Sequence, residues 1–512
     1  MEIKREIIKW FAFIAEQIVI VILIAQEIIY TQFSNVYSSL NVMDDVQRLQ
    51  IQLKEAEDYH TWASIAQQLD DKQAALQQAL VTEDYPAMKL LIRSGLLRNL
   101  GGIMDHRLFE KTNFGTKTFI EEYLNLVTEC IQKISDLPAT ENQKLEIIND
   151  VSQSFGNTAL LLHGGATFGL YHLGVVKALS ENGLLPKIIS GSSVGALIAA
   201  LICTHREEDL PKLFLPDGID LKAFARKERS GSIRRKITRL LTHGYLLDVK
   251  VLEDCVKANL GDMTFEEAFL ETGMVLNITV TSSRKNEIPS VLNYLTSPNV
   301  LIRSAACAST SMIGLYNSVD LLAKNKDGQI FVWSPTSIKW GNTYADNDSP
   351  DQRLAELFNV NHFILSQAQP YIAPFLRKGP RITGRNFFQK ILAFISSEIR
   401  FRMTQLARIG LIPKSVGSLF DLKIVGHVTI APALSSLDFY TIFGNPTYES
   451  LSYWIKKGEK STWPFLEMIR CRLMIEMKLY EVKQQQSALM NELRTNVFDL
   501  KNIMKKRTQS IG

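Results

Sequence analysis

The chain has 512 residues, 46% of them apolar and 21% charged, an ordinary globular balance that excludes wholesale disorder. Lys plus Arg number 57 against 53 Asp plus Glu, a formal net charge of +4 and too small an excess to argue for a nucleic-acid partner. The five cysteines (Cys130, Cys203, Cys255, Cys307, Cys471) are scattered and form no C-x-x-C, so neither a disulfide framework nor a thiolate metal site is expected, and a reducing, cytosol-facing compartment fits.

The first element is apolar. Residues 7–30 read IIKWFAFIAEQIVIVILIAQEIIY, and the longest uninterrupted apolar run, Ile18–Ala25, is eight residues. A spanning helix wants about 20 predominantly apolar residues. Glu16 and Gln17 interrupt this one, and a carboxylate at mid-bilayer costs ~2.5–3.5 kcal/mol. No small-residue cleavage site follows, which argues against a signal peptide. Residues 1–35 therefore read as an apolar helix lying in or dipping into a lipid surface, anchored by Lys4, Arg5, Lys9 and Trp10. A buried core helix is the other reading.

Residues 36–155 read as amphipathic helices without a catalytic constellation. The character then changes. Thr158–His163 (TALLLH) is a short apolar strand that breaks at Gly164-Gly165. A helix follows, with Leu170, Leu173, Val176 and Leu179 at helical spacing and Gly183 as its stop. A second strand, Lys187–Ser190, turns at Gly191-Ser192-Ser193-Val194-Gly195 into the apolar helix Ala196–Cys203. Strand–turn–helix repeated twice predicts an α/β fold with a parallel sheet, here over 156–370. Val275–Val280 and His362–Ser366 are further strand-like runs, and 371–512 returns to helices.

Two turns carry chemistry. Gly191–Gly195 is a G-x-S-x-G, in which terminal glycines let a strand turn sharply into a helix while Ser193 is held strained with its hydroxyl exposed. Such a pattern arises by chance in about one chain of this kind in ten; the apolar strand before it and apolar helix after it strengthen it. Gly164-Gly165, at the exit of the preceding strand, can expose backbone N–H groups as an anion nest, or can simply allow close packing. One strand–helix unit apart, the two turns together suit acyl transfer: a serine nucleophile beside an oxyanion cradle.

The segments LLLHGGATFGLYHLGVVKAL, IISGSSVGALIAAL and FNVNHFILSQAQPYIAPFL resemble the patatin-like phospholipase family. In particular they resemble its fungal and plant triacylglycerol lipase branch, whose members work on lipid droplets. The likeness extends to GLLRNLGGIMDHRLFEKTNFGTK and YWIKKGEKSTWP. It implies a parallel sheet sandwiched by helices, with helical N- and C-terminal extensions, and a Ser–Asp dyad without histidine. Ser193 matches the nucleophile, Gly164 and Gly165 the oxyanion loop. It also implies a lipid ester substrate, no cofactor, and a lipid-droplet or endoplasmic reticulum surface facing the cytosol.

The dyad base departs from the family pattern. The branch carries D-G-[SG] followed by a D-N-D-L-P-like stretch. Anchored on Asp346-Asn347-Asp348, the alignment places Asn342 at the aspartate and Thr343 at the glycine. An amide cannot accept the serine proton at neutral pH, and losing a general base costs about 10²–10⁴-fold. Asp327-Gly328, in KNKDGQIFVW, reads as a surface turn. Asp346 or Asp348 could substitute after local realignment, or be a solvated loop capping a helix that begins near Asp351.

Other signals are weaker. His243 and Asp248 form an H-x4-D, the spacing of glycerolipid acyltransferases, although His243 also fits a structural residue at a helix end. His163, His172 and His362 lie beside strand or helix cores and read as hydrogen-bonded structural histidines. No histidine pair has metal-ligand spacing with carboxylates, so no metal is expected. Residues 226–239 (RKERSGSIRRKITR) could meet lipid phosphates or form a solvated loop, and 386–409 form a basic amphipathic pattern suited to core packing or membrane contact. The expectation is a serine lipid acyl hydrolase cleaving esters of neutral lipids. The alternatives are a catalytically impaired relative acting as a lipid-surface protein, or an acyltransferase using His243 and Asp248.

Overall fold

The computed structural model describes residues 67–109, 116–136, 140–221, 249–282, 290–310, 319–333, 340–341, 350–369, 426–435 and 447–509, without 68 and 216 and with 398, 401, 402, 405 and 438 in addition. The apolar segment 1–35, the basic run 226–239, His243, Asp248, Asn342, Asp346 and Asp348 lie outside the described residues, as does most of 386–409. The described chain falls into two compact units, one from 67–157 with 466–509 and the other from 158–465.

The first unit is helical: α1 (Tyr85–Gly95), α2 (Thr118–Ser135) and α3 (Glu141–Phe155), joined by the long C-terminal helix of 466–509. In α2, Ile120, Tyr123, Leu124, Val127, Cys130, Ile131 and Ile134 recur at helical spacing and are all buried. Burying each such side chain stabilises by roughly 1.5–3 kcal/mol. Gly156, at φ 78°, ends α3 and releases the chain into the sheet.

The second unit holds the α/β sheet. In chain order its elements are β1 (Asn157–His163), α4 (Tyr171–Glu181), β2 (Ile188–Ser192), α5 (Val194–Cys203), α6 (Val249–Leu260), α7 (Phe265–Thr272), β3 (Val275–Ser282) and β4 (Ser290–Leu292). After these come α8 (Ile302–Thr310), β5 (Leu322–Lys324), β6 (Ile330–Val332), β7 (Trp340–Gly341), α9 (Pro350–Phe358), β8 (Val360–Gln367), β9 (Val428–Ile430) and α10 (Tyr448–Thr462). The remaining helix, α11, is Leu466–Gln509 and belongs to the first unit.

The main sheet runs β4-β3-β2-β1-β8-β9, with β7 also pairing β3. Strands β1, β2 and β3 are parallel, β8 and β9 are parallel, and β4 and β7 run antiparallel to β3. Ala159, Leu160, Leu161 and Leu162 are fully buried, as expected of a strand covered on both faces. One face packs Ala159, Leu161 and Ile188 against Leu354 of α9. Strand β1 has β2 on one side and β8 on the other, so the chain switches direction across the sheet at this point. In open α/β sheets the crevice beyond the carboxyl ends of such strands is where ligands bind.

The resemblance-based sandwich of helices on a mainly parallel sheet is what the structure has. The expected strands at 158–163, 187–190, 275–280 and 362–366 are each present, longer or shifted by one or two residues. Asp327-Gly328 sits in the turn of the β5–β6 hairpin, with Gly328 at φ 79° donating its N–H to the Asn325 carbonyl at 2.9 Å.

Candidate active site

Ser193 follows the last residue of β2 and precedes the first of α5. Its backbone sits at φ 57°, ψ −129°, a conformation that costs a non-glycine residue about 1–3 kcal/mol and persists only where the surroundings enforce it. The enforcing contacts are visible. The Ser193 N–H donates to Ser309 Oγ at 3.0 Å, and Ser309, fully buried at the end of α8, donates its hydroxyl to the Thr279 carbonyl on β3 at 2.8 Å. The Ala196 N–H takes up the Ser193 carbonyl at 2.9 Å. A Cβ on Gly191 would lie 2.5 Å from Ala196 Cα, and one on Gly195 would strike the Leu162 carbonyl oxygen. Both glycines of the motif are thus required by close backbone approach. Ser193 itself stays half-buried, at the rim.

The second turn lies directly beside the first. The β1–β2 register pairs His163 with Ser192, and the ladder continues one residue further, with the Gly164 N–H donating to the Ser192 carbonyl at 3.2 Å. Gly164 and Gly165 have φ of 70° and 121°, open to glycine and strained for any other residue. A Cβ on Gly164 would strike the Gln369 side chain, and one on Gly165 would lie 2.5 Å from Gly169 N. The Gly164 N–H is thus already used on the Ser192 carbonyl.

Behind the turns is a buried polar cluster. His172, on α4, is fully buried; its Nδ1 lies 2.7 Å from Ser366 Oγ on β8 and its Nε2 lies 3.4 Å from the Gly164 carbonyl. Burial pushes the imidazole down to about 3, so it is neutral at physiological pH. The Ala368 N–H donates to the His163 carbonyl at 3.2 Å, and Gln367 Nε2 donates to Gln369 Oε1 at 2.7 Å. Burial also lowers His163, against the opposing pull of Asp351. Asp351, in the first turn of α9, is 7% exposed, and its Oδ1 has no hydrogen-bond partner among the described residues. Its burial raises the carboxyl, with His163 acting the other way.

The remaining candidates do not converge here. His362 is buried beside Thr158, its Nδ1 3.3 Å from Thr158 Oγ1, at the opposite end of β1 from Gly164. The β5–β6 hairpin bearing Asp327 is bridged to Val300, just before α8, whereas Ser309 sits at that helix's far end. Among the described residues, no hydrogen bond or ion pair joins Asp327 to Ser193 or to Ser309, whose hydroxyl is used on Thr279. Ser309, Ser366 and Gln369 were not anticipated as site residues. The signal for two of them is the abrupt polar tail, Ser366-Gln367-Ala368-Gln369, on the apolar run of β8.

Residues 160–354 match the family described as patatin-like phospholipase, and residues 71–153 match a domain of unknown function, DUF3336. Triacylglycerol lipase ptl1 of Schizosaccharomyces pombe is 35% identical over 404 residues, covering 77% of this chain and 73% of the yeast protein. The chain belongs to the patatin-like phospholipase family, in its fungal and plant triacylglycerol lipase branch. Triacylglycerol lipase ptl3 of the same yeast is 30% identical over 465 residues, 84% of this chain and 95% of that one. Triacylglycerol lipase SDP1L of Arabidopsis thaliana is 36% identical over 406 residues, and this patatin-like chain spans half of its length. The patatin match opens on β1 and closes within α9, so it brackets both glycine turns of this patatin-like site.

Proposed function

We propose that the chain is a lipid acyl hydrolase that cleaves carboxylic esters of neutral lipids, triacylglycerol among them, on a cytosol-facing lipid-droplet or endoplasmic reticulum surface. One arrangement carries this reading: a strained Ser193 at the rim of β2, hydrogen-bonded through its neighbour Ser192 to the Gly164-Gly165 turn. Ser193 Oγ attacks the ester carbonyl carbon and gives up its proton to a base. The carbonyl oxygen, now negative, accepts the Gly165 N–H. The alkoxide leaves with a proton, and water then releases the fatty acid from the acyl-serine. The names of the relatives support triacylglycerol as substrate, and the apolar segment 1–35 supports a lipid surface.

A feature of the sequence favours a second reading, an impaired hydrolase retained for lipid-surface binding: anchored on Asp346-Asn347-Asp348, the family pattern puts Asn342 where its dyad aspartate would stand. A fluorophosphonate probe separates the two. Labelling of wild type that disappears in Ser193→Ala supports an activated nucleophile; an unlabelled wild type whose Asn342→Asp variant labels and hydrolyses trioleoylglycerol supports the second. Turnover that survives Ser193→Ala rejects the mechanism.

A further inference from the structure

We propose that His172 is a positioning residue for the oxyanion turn: its neutral ring, with the proton on Nε2, holds the Gly164 carbonyl and so fixes where the Gly165 N–H points. The inference rests on the serine-hydrolase reading above and deepens it.

The tautomer follows from the partners. The Gly164 carbonyl can only accept, so the ring nitrogen facing it, Nε2, must carry the proton. Nδ1 is then a bare acceptor, and the Ser366 hydroxyl, 2.7 Å away, donates to it. The ring cannot take a second proton in the neutral range, because it is enclosed on every side. His172 therefore presents one N–H toward the carbonyls of His163 and Gly164, from a rigid ring locked between α4 and β8.

The effect on Gly165 is a matter of peptide geometry. The Gly164 carbonyl and the Gly165 N–H belong to one planar, trans peptide group, in which C=O and N–H point in opposite directions. Drawing the carbonyl inward to His172 turns the N–H outward. The turn has little stiffness of its own, since two consecutive glycines allow the plane to flip at low cost. Two other restraints act on its flanks: the Gly164 N–H on the Ser192 carbonyl, and the Ala368 N–H on the His163 carbonyl. Neither fixes the 164–165 plane itself; His172 does. At 3.4 Å the bond is long, as catalytic hydrogen bonds often are before substrate binds.

The test uses the full chain and a soluble p-nitrophenyl ester. Ser193→Ala is measured in parallel, and its retention of turnover would remove the underlying reading rather than this one. With Ser193→Ala inactive, His172→Leu is expected to lower kcat by about 10- to 100-fold with KM within about twofold, less than the ~10²–10³ lost when an oxyanion donor is deleted outright. His172→Gln, whose amide can donate where Nε2 does, is expected to recover most of that loss. Equal kcat in His172→Leu and wild type, or no advantage of Gln over Leu, overturns the proposal. A second measurement needs no turnover. Long-range 15N–1H correlation on chain labelled at histidine is expected to show one ring protonated only at Nε2 from pH 8 to pH 5, lost in His172→Gln. If the ring signal lost in His172→Gln is instead protonated at Nδ1, or titrates in that range, the proposal is overturned.

Discussion

Ser309 shows how much of a strained residue's fate is decided by its neighbours. Its hydroxyl is the acceptor for the Ser193 N–H and hands its own proton to β3, so the elbow is tied to the adjacent strand through one buried oxygen. Ser309→Ala leaves the Ser193 N–H without this partner, which costs about 1–3 kcal/mol for a buried polar group. The expected outcome is a lower midpoint in thermal unfolding and a slower serine-directed labelling rate. His172 gives a pH signature. The folded imidazole protonates only near about 3, whereas an unfolded one does so near its ordinary value of 6.5. Its contribution to stability is complete above pH 6.5 and falls by about 1.4 kcal/mol per pH unit below that, down to the folded value. His163, the titratable group nearest the ring in this cluster, is lowered in the same sense and adds to the acid sensitivity. Unfolding followed between pH 7 and pH 4 is therefore expected to be less steep in His172→Gln than in wild type. Asp351 acts oppositely: raised by burial, it loses stability as pH rises through its folded value. Asp351→Asn is expected to raise the unfolding midpoint at pH 8, by an amount worth about 1 kcal/mol.

Among the elements, the pairing of α4 with α10 bears most on the Gly164-Gly165 turn. The two helices cross so closely that a Cβ on Gly174 would strike the Ile455 carbonyl, and one on Gly458 would strike the Tyr171 carbonyl. Trp454 of α10, almost fully buried, lies 4.8 Å from the Phe168 ring in the turn that leads into α4, and Lys177 pairs with Glu459. Gly458→Ala is expected to destabilise by about 1–3 kcal/mol, the usual cost of overpacking, as a drop in the denaturation midpoint. Its effect on turnover is expected to exceed that of an exposed change such as Leu270→Ala. The strands and turns flanking Ser193 were legible in the sequence, because a central parallel strand has to be an apolar run and a sharp strand-to-helix turn has to be glycine-rich. The partnership of α10 with α4 was not, since nothing local in YWIKKGEKSTWP names a partner more than 270 residues earlier. His172 was legible as a buried, hydrogen-bonded histidine, but its two partners were not, because Ser366 meets it only through the order of the sheet.

At the scale of the molecule, the helical unit is joined through its own distant segments. Arg98 is buried against the Phe155 ring at 4.3 Å; its Nη2 donates to the Gly156 carbonyl and to Glu476, both at 2.8 Å, and its Nη1 to the Arg472 carbonyl at 3.3 Å. Breaking one side of such a buried pair costs about 3–5 kcal/mol, so Glu476→Ala is expected to lower the unfolding midpoint far more than removal of the surface pair Arg353–Glu356. The place of β8 has a practical consequence. A clone trimmed to the family-matched stretch would stop inside α9, before the strand that covers the outer edge of β1 and supplies Ser366, and before Gln369 just beyond it. Its bare edge would invite strand-to-strand aggregation, and its glycine turn would lose the wall it leans on. Anyone wishing to express the hydrolytic half alone must therefore carry the reading frame through Phe465.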